Sequence, residues 1–233
     1  MTEAQLRDNL SRVEERIERA RERARRGDAV DIIAVTKTHP IDVVRTTLAA
    51  GLRKLGENRV LELEGKVQAV GRDAAEWHLI GHLQRNKVKR ALPLFDLFHA
   101  VDSLRLAREL SSEAVKAGVT VRGLAQVNVS GEATKGGFEG ELSAIVDQIA
   151  EACALPGLEI RGLMTMAPFT EAERVVRGTF ARARQLFEQC GNTVEGFVAA
   201  HLSMGMSNDY EIAVEEGSTM VRLGTILFGE REP

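Results

Sequence analysis

The 233 residues are 44% hydrophobic with a formal net charge of −3. That is enough apolar material for one large α/β domain, and it gives no general attraction for nucleic acid or anionic lipid. Two cysteines, Cys153 and Cys190, both in helical-looking segments, speak against a disulfide framework and against a paired-cysteine zinc site. With no apolar run long enough to span a bilayer, a cytoplasmic protein without a membrane partner is expected.

Residues 2 to about 26 predict one amphipathic helix, with Leu6, Leu10, Val13, Ile17, Ala20 and Ala24 recurring in steps of four and three. Glu14, Glu15, Glu18 and Glu22 interleave with five arginines between 19 and 26, the pattern of a solvated, salt-bridged face. Gly27 is expected to end the helix. Next comes DIIAVTKTHP, residues 31–40, whose apolar run Ile32–Val35 stops at a lysine before a turn-forming Thr-His-Pro. A strand covered on both faces reads this way, and it places Lys37 where the core ends. An ammonium in a partly dry pocket loses its charge more readily than one in water and becomes an amine able to attack a carbonyl, although a lone lysine more often snorkels to solvent.

From there helix and strand alternate. The strand candidates are Ile32–Thr36, Lys54–Gly56, Trp77–Ile80, Leu97–Val101, Leu124–Val129, Ile160–Met164, Ala199–Leu202 and Met220–Leu223. Helices are expected near 41–50, 58–70, 84–91, 103–117, 139–152, 171–190 and 208–216. Such βα units after a leading helix, with no linker or repeat, predict a single (β/α)₈ TIM barrel domain over residues 1–233. Chemistry then belongs just after the strands, at Lys37, Glu57 and Asn58, Gly81 and His82, Asp102, Asn128, Met164 and Met166, Ser203 to Ser207, and Arg222 to Thr225. Asp102-Ser103 reads as a helix N-cap, Asn58 as a cap of the helix after it, and His78 as a satisfied core histidine. No spacing of His, Cys and carboxylates suggests a metal.

Two late stretches suit an anion. SMGMSND, residues 203–209, combines hydroxyls, a glycine permitting close backbone approach at Gly205, and a capping-box spacing from Asn208 to Glu211. MVRLGTILFG, residues 220–229, sets a strand with Arg222 against Gly224-Thr225, in the loop position where barrels commonly hold phosphate. With a strand-terminal lysine, these loops imply a phosphorylated aldehyde or ketone.

AVTKTHP (34–40), GEN (56–58), WHLIGHLQRNK (77–87), RGLMTM (161–166), LSMGMSND (202–209) and GSTMVRLGTILFG (217–229) occur in that order. By these motifs the chain resembles, nearly end to end, the pyridoxal phosphate homeostasis proteins. That family has the alanine racemase N-terminal barrel of fold-type III pyridoxal phosphate proteins. The resemblance implies that Lys37 forms a Schiff base with pyridoxal 5′-phosphate (PLP). It places the phosphate between Ser203, Gly205, Met206 and Ser207 on one side and Gly224 and Thr225 on the other. Arg222 is implied beside the cofactor, on either the ring nitrogen or the phosphate, and Asn58 is a further contact. Thr36 stands where the family often has serine, and Arg59 where an aromatic is common.

The implied function is buffering or delivery of this vitamin B6 cofactor to apo-enzymes by a cytoplasmic monomer without a robust reaction of its own. An amino-acid racemase is the alternative. Racemisation needs a second acid/base on the opposite face of the substrate carbon; related racemases supply a tyrosine from an additional C-terminal domain, whereas this chain ends soon after its last strand. Its one tyrosine, Tyr210, is expected to pack or cap. A Schiff-base lysine aldolase acting on a sugar phosphate is a second alternative, and it leaves the other motifs unexplained.

Overall fold

The computed structural model describes residues 1–130 and 136–230. Eight parallel strands close into a barrel in sequence order: β1 Asp31–Val35, β2 Lys54–Glu57, β3 Glu76–Leu79, β4 Leu97–Val101, β5 Val121–Gln126, β6 Leu158–Met164, β7 His201–Ser203 and β8 Met220–Leu223. Closure pairs the first strand with the last, Ile33 lying opposite Arg222 in register. The expected barrel and its leading helix are therefore present. β5 begins at Val121 rather than Leu124, because Val121 and Gly123 pair with Leu158 and Ile160 of β6. β7 begins at His201 rather than Ala199, since Val198 and Ala200 make a turn held to Ile160 and to Val198.

The helices are α1 Glu3–Arg23, α2 Ile41–Ala49, α3 Val60–Val70, α4 Val88–Ala91, α5 Leu104–Ala117, α6 Leu142–Cys153, α7 Glu173–Thr193, α8 Tyr210–Glu215 and α9 Thr225–Phe228. α1 starts with a capping box, Gln5 N–H donating to Thr2 Oγ1 at 3.2 Å and Thr2 N–H to Gln5 Oε1 at 2.8 Å. Its apolar stripe Leu6, Val13, Ile17 and Ala20 is buried. Gly27 does not end it: the helix stops at Arg23, and Arg25 takes the left-handed turn at φ 54. Tertiary bonds override the glycine signal, since Arg26 Nη1 reaches the Val214 carbonyl at 2.6 Å and the Ser218 carbonyl at 3.0 Å. Further along, Arg23 Nε bonds Glu215 at 2.6 Å, so the first helix is tied to α8.

Side chains alternate across each strand. A Cβ on Gly56 would meet Ile33 Cγ2 at 3.0 Å and Val35 Cγ2 at 3.5 Å, which places these positions on the barrel's inner face. The register carries His78 opposite Gly56 and Leu97, and Ser203 opposite Met164 and Met220. No helix among the described residues is long and apolar enough to cross a membrane.

Candidate functional site

Lys37 lies half-buried just past β1, in a turn held from both sides. Thr36 N–H bonds the Gly56 carbonyl at 3.1 Å and His39 N–H closes back on the Thr36 carbonyl at 3.0 Å. Thr38 takes a left-handed φ of 66, a strained conformation for a β-branched residue. Its N–H bonds the Glu62 carboxylate. Behind the turn sits a buried ion cluster of which the sequence singles out only Glu57: Lys66 Nζ donates to the Thr36 carbonyl at 2.7 Å and to Glu57 and Glu62, each at 2.8 Å. Thr36 Oγ1 also donates to Glu57, and Glu57 Oε2 has no hydrogen-bond partner among the described residues. Burial pushes the Glu57 carboxyl upward against the opposing pull of Lys66.

Barrel closure sets β8 and its loop beside this turn. The Cβ direction of Gly224 meets the Val35 carbonyl at 3.4 Å, so the chain after β8 runs close against β1. Gly205 has φ 94, and a Cβ there would lie 2.6 Å from Ala213 Cβ and 2.9 Å from Tyr210 Cα; only glycine fits, and its carbonyl accepts the Arg222 N–H at 3.0 Å. Ser207 Oγ accepts Ile226 N–H at 3.3 Å, tying the loop after β7 to α9. Among the described residues, the N–H groups of Ser207, Asn208 and Thr225 have no hydrogen-bond acceptor. That supply of open donors between two loops fits a phosphate.

Some sequence readings of these loops need correction. Asn208 and Glu211 form no capping box: α8 begins at Tyr210 with Asp209 at its N-cap. Glu211 is drawn instead to Arg16 and Arg23 of α1. The Met206 N–H is committed to Asp209 Oδ1 at 2.6 Å. Asn58 does not cap α3, whose N-cap is Arg59 without a side-chain bond. It leans instead on the loop after β3, where a Cβ on Gly81 would overlap its backbone and amide. Ser103 is the N-cap of α5 as expected, accepting Leu106 N–H at 3.3 Å.

Arg222 is 5% exposed. Its Nη1 donates to Ser203 Oγ at 2.7 Å and its Nη2 to the Thr165 carbonyl at 3.0 Å. Burial lowers its pKa to about 10, which leaves it charged at neutral pH. The guanidinium therefore turns towards the ends of β6 and β7, where Met164 is buried and Met166 partly so. Asn128 is also buried beyond β5, with Ser130 Oγ donating to its Oδ1 at 3.0 Å.

Sequence reasoning missed two further features. His82 and Asp102 were separate candidates, yet His82 Nδ1 lies 2.8 Å from Asp102 Oδ2 at the rim, its side chain 70% exposed. His99 was not singled out at all, although it is fully buried in the barrel and bonded to both His78, at 2.8 Å, and Ser203, at 3.0 Å. The available signal was a histidine alternating with Leu97 and Val101 on one face of β4. Tyr210 is buried, with Arg16 of α1 5.4 Å from its ring centroid.

Comparison with known proteins follows the same lines. The family model for the alanine racemase N-terminal domain matches residues 9–232. Over 227 residues the chain is 43% identical to a pyridoxal phosphate homeostasis protein of Aquifex aeolicus, covering 97% of this chain and 98% of that one. Over 230 residues it is 37% identical to the protein of that name in Escherichia coli K12, covering 96% of each. Among solved structures, PipY of Synechococcus elongatus with PLP bound superposes at a TM-score of 0.83, with 33% identity over 96% of this chain and all of that one. An alanine racemase of Clostridium difficile, at 19% identity, a TM-score of 0.71, and 99% of this chain against 58% of that one, shows the shared fold alone.

Proposed function

This chain belongs to the pyridoxal phosphate homeostasis protein family, and from that premise we propose that it binds PLP on Lys37 and buffers it, or delivers it to apo-enzymes, as a cytoplasmic monomer forming one domain. The observation that carries the reading is the closure of β1 against β8, which sets a strand-end lysine next to two loops with open backbone donors.

Each residue then has a task. The turn from Thr36 to His39 and the Lys66 cluster behind it hold the Lys37 backbone at the mouth. Ser207, Thr225 and neighbouring N–H groups take the phosphate, with Gly205 and Gly224 keeping Cβ atoms out of tight places. Arg222, engaged with Ser203 and Thr165 rather than with Ser207 or Thr225, is assigned to the ring nitrogen. Asn58, at the β2 end, stays a candidate for the ring's edge. When bound, PLP supplies an aldehyde that condenses with an amine and a ring whose power as an electron sink depends on a protonated nitrogen. A guanidinium has only donors, so Arg222 holds that nitrogen as an acceptor and disfavours its protonation. Carriage rather than turnover follows from that.

A racemase reading has one observation in its favour, the His82–Asp102 pair at the rim, which has the chemistry of an acid/base. Tyr210, buried beside Arg16, does not supply one. The first reading is tested by borohydride reduction of the yellow holoprotein followed by peptide mapping. The pyridoxyl group should appear on Lys37; finding it mainly on Lys87, or on Lys135 outside the described residues, refutes the assignment. Delivery is tested by mixing holoprotein with a PLP-requiring apo-enzyme, and failure to restore activity leaves storage alone.

A further inference from the structure

The barrel interior contains a polar chain of which the proposed cofactor site uses only the Arg222 end. It runs from Arg222 on β8 through Ser203 on β7 and His99 on β4 to His78 and Glu76 on β3. The links are Arg222 Nη1 to Ser203 Oγ at 2.7 Å, Ser203 Oγ to His99 Nδ1 at 3.0 Å, and His99 Nε2 to His78 Nδ1 at 2.8 Å. His78 Nε2 then lies 3.2 Å from Glu76 Oε1. That last approach is poorly aligned, and His78 Nε2 makes no hydrogen bond among the described residues, so it counts as an electrostatic contact. Ser203, His99 and His78 are wholly buried. Glu76 reaches water in a cleft with Arg161 and His201 at the opposite end of the barrel from Lys37.

The two ends determine where every proton between them sits. Arginine offers only donors and an ionised carboxylate only acceptors. Ser203 Oγ receives the Arg222 N–H, so its own hydrogen is directed to His99 Nδ1. His99 therefore carries its proton on Nε2 and gives it to His78 Nδ1, and His78 in turn carries its proton on Nε2, facing Glu76. The opposite tautomers fail at both ends: Nδ1–H on His99 would leave the Ser203 hydroxyl hydrogen without an acceptor among the described residues, and an Nε2 lone pair on His78 would face the Glu76 carboxylate. A charged His99 is disfavoured by burial first, then by His78 and Arg222, which hold its pKa well below the usual histidine value. Conversely, the facing His78 holds the Glu76 carboxyl low despite partial burial.

We propose that His99 is a positioning residue for Arg222: as a fixed acceptor it orients the Ser203 hydroxyl so that an oxygen lone pair meets the guanidinium, while His78 and Glu76 set its tautomer from the far end of the barrel. With Nη1 held by Ser203 and Nη2 by the Thr165 carbonyl, the guanidinium cannot rotate, and its plane is set before any ligand arrives. The inference rests on the proposed function only for what Arg222 faces.

Nitrogen-15 NMR of the full chain, with and without PLP, tests it alongside two variants. His99→Asn keeps an acceptor for Ser203 but cuts the link to His78; His99→Phe removes both. Wild type should show neutral Nε2–H tautomers at His78 and His99 and separate, slowly exchanging Nη signals for Arg222. Those Nη signals should survive in His99→Asn and merge in His99→Phe. The PLP dissociation constant should rise about tenfold in His99→Phe and less than about twofold in His99→Asn. An Nδ1–H tautomer at His99, or Arg222 signals unchanged in folded His99→Phe, overturns the proposal. If His99→Phe does not fold, the wild-type tautomers and the retained or lost Nη signals of His99→Asn decide. Tautomers and locked Nη signals as expected in protein that binds no PLP would support this inference and count against the proposed function instead.

Discussion

Lys66→Met should be among the most damaging single changes in the chain, although Lys66 lies on α3 and not at a strand end. The substitution removes the counter-charge from Glu57, whose side chain is wholly buried and whose Oε2 already lacks a partner. Breaking a buried pair in this way costs about 3–5 kcal/mol. In a domain of this size that lowers Tm by about 10 °C. The penalty should also depend on pH. Burial raises the Glu57 pKa above its ordinary 4.5, so the folded chain binds that proton more tightly than the unfolded chain. The associated stability is present below 4.5 and is lost as pH rises through the folded value. Without Lys66 the folded value climbs further, so the variant's Tm should fall between mildly acidic and mildly alkaline buffer more steeply than that of the wild type. Thermal unfolding of Lys66→Met and of Lys66→Met/Glu57→Leu across that range checks this, and the double variant should recover most of the loss and flatten the slope. An equal penalty at all pH values, or a double variant no better than the single, refutes the reasoning.

Arg222→Ala removes a charge-assisted bond worth about 1.5–3 kcal/mol, roughly ten- to a hundredfold in affinity. Titration of folded protein with PLP should show that loss, with Thr225→Ala costing less; equal affinity in wild type and Arg222→Ala would remove Arg222 from the site. Holoprotein incubated with L-amino acids in deuterated water should exchange the α-hydrogen no faster than free PLP does. Faster exchange, abolished by both Lys37→Ala and His82→Asn, would make His82–Asp102 a catalytic pair and the protein a racemase.

The alternation of strands and helices was legible because parallel strands buried on both faces are written as short apolar runs. β5 was read short because Val121-Arg122-Gly123 looks like loop; Arg122 points outward and Gly123 is chosen by its neighbour, a Cβ there meeting Val101 Cγ2 at 2.8 Å. Readings that used local cap chemistry fared worse. Gly27, Asn58 and the Asn208–Glu211 pair all carry cap signals that the fold does not use; Glu211 is taken by the α1 arginines and the Gly27 turn is set by Arg26 on the Val214 and Ser218 carbonyls. The places of Lys37 and the two loops, past β1, β7 and β8, could be read from single segments. His99 and Lys66 could not, because their roles depend on register between β3 and β4 and on the docking of α3, neither of which a local pattern records.

The seam between β1 and β8 has a consequence for when the protein becomes competent. On the proposed assignment Lys37 lies on one side of this seam and Gly224 and Thr225 on the other, so the two sides of the pocket meet only when β1 pairs with β8. On that assignment a barrel open at the seam has the lysine but no cradle beside it and should bind PLP weakly. Capture of the cofactor would thus report closure of the whole ring. If PLP binds only the closed form, its free concentration should add to the stability of the ring by mass action. A homeostasis protein built this way should have a fold that is firmest when the cofactor is abundant and less so as the pool is drawn down.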